Sequence, residues 1–243
     1  MKRAVIIGAS TGIGRQLARI LHAEGWTLGL IARRVELLEQ LQTELELEGE
    51  ARIFVRRMDV AHVDETIEVF EELIQHLGGM DLAVINAGVG FHNARLKWEH
   101  ERNTIAVNVT GFAAAAGVAY RFFHEAKRGH LVGMSSVACH RGGRQAPAYA
   151  ASKAFVTNYL EGLRMRASRA RPGITVTDIR PGFVDTPMTR GQKGMFWVAP
   201  VEKASQQIYR AIVRRRNVVY VTKRWWFMAA LLKRLPDFVY AKI

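Results

Sequence analysis

Tyr149 and Lys153 stand four residues apart on a helical stretch, and Ser136 precedes them by a short interval. At that spacing a phenol and an ammonium project from one face of a helix, one above the other. An acidic phenol beside a fixed cation can hand a proton to a carbonyl oxygen. Near the N-terminus, Gly8, Gly12 and Gly14 form a glycine-rich turn. Such a turn can hold the phosphates of a dinucleotide that supplies a hydride. The two features together describe an enzyme.

The turn reads Gly8-Ala9-Ser10-Thr11-Gly12-Ile13-Gly14, directly after the apolar run Ala4–Ile7. Gly8 allows a sharp bend, Gly12 lets backbone approach a phosphate, and Gly14 permits tight helix–strand contact. Ser10, Thr11 and Ile13 fall where amides at a helix start point at a pyrophosphate, which the helix dipole also favours. The second apolar run ends in Ala32-Arg33-Arg34. A carboxylate at that position would hold the ribose hydroxyls of NAD. Here it is Ala32, and the Arg33 fork matches a phosphate, so the chain favours NADP(H) over NAD(H). Arg34 reads as a solvated helix start.

These residues need a frame. Short apolar runs at Ala4–Ile7, Thr27–Ala32, Arg52–Arg56, Leu82–Asn86, His130–Ser135, Thr175–Arg180 and Val218–Thr222 read as strands. Helical patterns fall between them, near Gly14–Glu24, Val35–Glu48, Val63–Leu77, Glu99–Lys127, Tyr149–Arg169 and Val201–Arg214. Leu37, Leu38, Leu41 and Leu45 are spaced for one buried face. The alternation predicts an α/β fold: a Rossmann-like, doubly wound parallel sheet of about seven strands with helices on both faces. Asp59-Val60 and Asn86-Ala87-Gly88 then stand at the sheet's carboxyl edge, where ligands gather.

Composition narrows the class. The 243 residues are 49% hydrophobic, with no Pro- or Ser-rich linker, which suits a single domain. One cysteine, Cys139, suits a reducing compartment and reads as a packing residue. The net charge is +13, but the basic residues are dispersed and no nucleic-acid module accompanies them. The eight histidines lack paired metal-ligand spacing, so no metal site is expected. No stretch reads as the roughly 20 apolar residues of a membrane span. The expected location is the cytoplasm.

Gly8–Gly14, Asp59-Val60, Asn86-Ala87-Gly88, Asn108, Ser136, Tyr149, Lys153 and Pro181-Gly182 occur in an order and spacing that resembles the short-chain dehydrogenases/reductases. The resemblance runs over roughly residues 3 to 222. It implies that Tyr149 is the general acid in reduction and that Ser136 holds and polarises the substrate oxygen. It implies that Lys153 bonds the nicotinamide ribose and that Asn108 anchors a water for proton resupply. Val184 and Thr186, after Pro181 and Gly182, would bind the nicotinamide carboxamide. Family spacing favours Ser136 over Ser135, and Ser152 reads as a packing residue. A phenol titrates near 10, and lowering it by two to three units takes about 3–4 kcal/mol. A cation about 4 Å away at effective dielectric 20 supplies on the order of 4 kcal/mol, so Lys153, aided by the positive charge of oxidised nicotinamide, is expected to lower Tyr149. The resemblance also implies a homodimer or homotetramer through the helices bearing Asn108 and Tyr149.

The expected activity is interconversion of a carbonyl and a secondary alcohol with NADP(H). The alternatives are a sensor or scaffold that binds NADP without turnover, and an epimerase or dehydratase of the extended branch. Met188, Met195, Phe196 and Trp197, in a lid-like segment over 187–200, point to a hydrophobic small-molecule substrate. Residues 223–243, beyond the catalytic domain of residues 1–222, form a basic and aromatic tail. Its Trp and Phe flanked by Lys and Arg suit peripheral contact with an anionic membrane. A tail that packs over its own active site or a partner subunit is the other reading.

Overall fold

The computed structural model describes residues 2–169, 173–191 and 194–240. Seven parallel strands form one sheet: β1 (Arg3–Ile7), β2 (Thr27–Ala32), β3 (Ile53–Arg57), β4 (Leu82–Ile85), β5 (Gly129–Met134), β6 (Ile174–Pro181) and β7 (Val218–Val221). Their spatial order is β3-β2-β1-β4-β5-β6-β7. The order reverses between β1 and β4, and a crevice opens at such a switch point, outside the carboxyl ends of the strands.

One face of the sheet carries α3 (Val63–His76), α5 (Phe112–Ala126) and α6 (Pro147–Arg169), the other α1 (Gly12–Ala23), α2 (Val35–Glu46) and α7 (Val201–Val213). The period of two along β1 divides its side chains between these layers: Val5 and Ile7 enter one core, Ala4 and Ile6 the other. Strands β2 and β5 are buried along their whole length, which is why the central runs read as continuously apolar. On α2, Leu38, Leu41 and Leu45 are buried as their spacing predicts, while Leu37 sits at the edge of that face.

The expected single helix over 99–127 has three parts. Helix α4 (Trp98–Ile105) passes through a π-helical turn, Ala106–Gly111, into α5. The π turn contains Asn108, and such turns are frequent at functional sites. Contrary to the sequence-based expectation, the stretch Trp98–Ala126 is long and apolar enough to cross a membrane by length and composition. Half of its apolar window is buried, and α5 packs on α3, β5 and α6, as a core helix does. After β7 the tail is helical, as α8 (Trp225–Arg234) and the short α9 (Asp237–Tyr240); residues 241–243 lie outside the described residues.

Candidate active site

The glycine turn joins β1 to α1 at the switch point. Gly8 has φ +90°, and a Cβ there would lie 2.6 Å from the Ala87 nitrogen. A Cβ on Gly14 would lie 2.1 Å from the Gly8 carbonyl oxygen, so helix α1 can start this close only without side chains. Asn86 Nδ2 donates to the Gly8 carbonyl at 2.8 Å and fixes the turn against the end of β4. Thr11 caps α1 without spending its hydroxyl on the helix, and the first turn holds no acidic residue.

A continuous cleft runs from this turn to the end of β6. Gly8, Ser10, Thr11, Gly12, Ile13, Arg33, Asp59, Val60, Asn86, Ala87 and Gly88 line one part of it. Ser136, Tyr149, Lys153, Pro181, Gly182, Val184 and Thr186 line the other. Of the expected catalytic and cofactor-binding residues, Gly14 and Asn108 stand outside the cleft wall, and of the lid-like residues Met188 lines it while Met195, Phe196 and Trp197 do not. Gly14 serves by close packing. Asn108, buried beneath the wall, spends its side chain on holding neighbours. Its Oδ1 accepts from the Val89 nitrogen at 2.8 Å, and its Nδ2 donates to the Val89 carbonyl at 2.8 Å and to Ser152 Oγ at 3.0 Å. Ser152 in turn donates to the Tyr149 carbonyl at 2.7 Å. Ser152 is therefore more than filler, because it ties the Asn108 turn to the helix that carries Tyr149.

Two features of the cofactor end escaped the sequence. Arg34 is the exposed N-cap residue of α2, as read, and it also lines the cleft beside Arg33 and reaches Thr11 Oγ1 at 3.4 Å. Arg33 lies 3.8 Å from Asp59, a loose pair on a half-exposed guanidinium. Both arginines follow Ala32 at the tip of β2, and only the fold brings Thr11 under the second of them.

At the chemical end, Lys153 is 6% exposed and donates to the Met134 carbonyl at 2.9 Å. Its ammonium lies 5.7 Å from the centroid of the Tyr149 ring. Desolvation lowers Lys153 to about 8, opposed chiefly by the charge of Asp178. The chain's own groups hold Tyr149 raised rather than lowered, a balance that does not include the charge of an oxidised nicotinamide. The Tyr149 ring is half-buried in the cleft wall, and desolvation of the phenol raises it, while a hydrogen bond with Ser136 draws it partly back. The Lys153 ammonium is bonded to the Met134 carbonyl and is not among the groups that move the phenol.

Ser135 and Ser136 both line the cleft but differ in their partners. The Ser135 hydroxyl donates to the Asp178 carboxylate and to the Ile179 carbonyl. Ser136 Oγ accepts from the Ala138 nitrogen at 3.1 Å and donates weakly to the Pro181 carbonyl at 3.5 Å, which leaves it less committed than Ser135. Burial raises the Cys139 thiol, in keeping with its reading as a packing residue.

The tail packs over the cleft's own rim. Trp225 is 3% exposed and contacts the rings of Phe183, Phe196 and Trp197 at centroid distances of 5.1 to 5.7 Å. Arg141, just past the 3-10 turn Val137–His140, donates to the Leu232 and Leu235 carbonyls and pairs with Asp237 at 2.6 Å. Part of the lid-like segment, residues 192–193, lies outside the described residues.

The family model for the short chain dehydrogenase matches residues 2–195. The chain belongs to this family and is an oxidoreductase. An uncharacterized oxidoreductase of Myxococcus xanthus is 40% identical over 190 residues, spanning 77% of this chain and 74% of the relative. An uncharacterized oxidoreductase of Mycobacterium tuberculosis is 34% identical over 238 residues, 96% of this chain and 92% of its own length. Among solved structures, the alcohol dehydrogenase from Thermococcus sibiricus complexed with 5-hydroxy-NADP superposes with a TM-score of 0.79. It is 23% identical, covering 90% of this chain and 95% of the other. That likeness extends to the fold.

Proposed function

We propose that this oxidoreductase interconverts a carbonyl and a secondary alcohol with NADP(H), and that Tyr149 is the proton donor in reduction. The observation that carries the reading is a shared cleft. Ser136, Tyr149 and Lys153 stand in the same cleft as the glycine turn, Arg33 and Arg34. The turn Gly8–Ile13, which lines the cleft at an α1 N-terminus without acidic residues, fits a pyrophosphate. Arg33 and Arg34 would hold a 2′-phosphate, with Ala32 offering no carboxylate to repel it. Lys153 would bond the nicotinamide ribose, and Val184 and Thr186 the carboxamide. A bound nicotinamide cofactor would supply the hydride.

The chain's own residues handle the proton. The Ser136 hydroxyl would hold the substrate oxygen beside Tyr149. A phenol raised by desolvation stays protonated at neutral pH and is suited to donate as the oxygen gains negative charge. Lys153, lowered to about 8, exchanges protons readily near neutrality and would replenish the phenol. The Asn108 side chain is already committed, so any water it anchors would use its backbone carbonyl. The Thermococcus sibiricus enzyme, complexed with 5-hydroxy-NADP, supports the cofactor class. Apolar side chains exposed at Ile105 and Met165, on the helices beside Asn108 and Tyr149, support a homo-oligomer.

The test is turnover of NADPH against a panel of carbonyls, followed by nicotinamide absorbance. Tyr149→Phe should lower kcat by about 10²–10⁴-fold while NADPH affinity changes little. Cofactor binding by the wild type with no oxidation across the panel would return the reading to a sensor or scaffold.

A further inference from the structure

Helix α8 has a buried face and an outward one. Trp225 and Ala229, four residues apart, point into the protein, at 3% and 1% exposure. Trp226, Phe227 and Leu231 point outward, at 52%, 69% and 52%. Next to them Phe196 and Trp197 keep nearly half of their surface open although both touch Trp225. Two segments packed together through the buried Trp225 thus each expose large apolar side chains. Apolar surface exposed in this way on an oxidoreductase fold marks an interaction surface.

The charges around this surface select its occupant. Lys223 and Arg224 precede the helix and Lys233 and Arg234 close it, all four exposed. No acidic residue falls between Lys223 and Pro236, and Asp237, the first after them, is paired with Arg141. Arg224 is held in place, with its guanidinium 5.0 Å from the Trp197 ring centroid and Nη2 donating to the Trp197 carbonyl at 2.9 Å. A groove between Tyr220 and α8, with Trp226 and Ala229 in its wall, is edged by Lys233 and Arg234. Indole and phenyl rings framed by cations, with no carboxylate among them, match the boundary between headgroups and acyl chains of an anionic bilayer. We propose that this face, α8 with Phe196 and Trp197, docks the protein on anionic lipid. A second copy fits less well, because two such faces would bring like charges together around the apolar centre.

Sedimentation of the full chain with vesicles tests this. Vesicles of phosphatidylcholine containing phosphatidylglycerol should carry the protein down at low salt, and phosphatidylcholine alone should not. Salt should weaken the association, and intrinsic tryptophan fluorescence should shift to the blue on binding. Phe227→Glu or Trp226→Glu should abolish it, and since both side chains face outward, thermal unfolding should be unchanged. Lys233→Gln with Arg234→Gln should weaken it by on the order of 30-fold. No sedimentation of the wild type with anionic vesicles would overturn the proposal. So would binding that survives Phe227→Glu, or self-association lost in that variant without any lipid binding, which would assign the face to a second copy.

Discussion

The indole of Trp225 fills the space that a side chain on Gly182 would need: a Cβ there would lie 2.0 Å from its ring. Gly182 lines the cleft, so the first residue of α8 is part of the cleft's outer support. Trp225 is almost fully buried, yet its Nε1 has no hydrogen-bond partner. Its value therefore lies in the ring. Trp225→Ala should cost about 3–5 kcal/mol and weaken dinucleotide binding, since the backbone at Gly182 loses its backing. Trp225→Phe keeps most of the ring and removes the unpartnered donor, so it should cost much less. Thermal unfolding and cofactor titration of both variants measure this.

Arg33 and Arg34 approach the same end of the cleft from consecutive positions. If both meet a 2′-phosphate, each charge-assisted contact contributes about 1.5–3 kcal/mol, which is roughly tenfold or more in affinity. Arg33→Ala and Arg34→Ala should each weaken NADP by that factor and leave NAD nearly unchanged. Equal loss for the two cofactors in calorimetric titrations would remove the phosphate assignment.

Lys153 makes the fold's stability depend on pH. Its folded-state value is about 8, against 10.5 for an ordinary lysine. Between these values the unfolded chain binds the proton more tightly than the folded one, so stability rises with pH across that window. Below about pH 8 the full cost of a buried ammonium is present, on the order of 3 kcal/mol. Lys153→Met should therefore raise Tm at pH 7 while abolishing turnover. The stabilisation should shrink as pH climbs from 8 towards 10.5. A variant that melts earlier than the wild type at pH 7 would mean that the Lys153–Met134 hydrogen bond outweighs desolvation.

The sequence was most legible where function is local. The strand–helix alternation follows from periodicity, and the glycine turn and the Tyr149–Lys153 pair each lie within one short segment. What it hid depends on partners distant in sequence. Arg34 looked like only a solvated helix start because Thr11, which it reaches, is 23 positions earlier. Ser152 looked like packing because Asn108 is 44 positions away. The tail allowed two readings because amphipathic spacing does not say what lies under its inner face. Trp225 answers that for the inner face, while Trp226 and Phe227 remain outward. Electrostatics was the least legible. Charge pairing with Lys153 and an oxidised nicotinamide argued for a lowered phenol, whereas among the chain's own groups burial, which no spacing reveals, raises it.

Asp178 had no place in any motif, yet it braces two parts of the site. It is fully buried in β6 and takes hydrogen bonds from Ser135, neighbour of Ser136, and from Thr157, one turn beyond Lys153, at 3.2 Å. Arg180 Nε donates to the same oxygen as Thr157, Oδ2, at 2.7 Å. Asp178 also sustains the charge of Lys153 against desolvation. Two effects should follow from Asp178→Asn. The Arg180 guanidinium, left largely buried without a counter-charge, should cost about 3–5 kcal/mol. Lys153 should fall further below 8, moving any limb of the pH–rate profile that reports it to lower pH. Ser135→Ala removes a brace without removing the charge, so it should lower Tm and leave the profile in place. If both variants shift the profile alike, Asp178 acts by geometry alone.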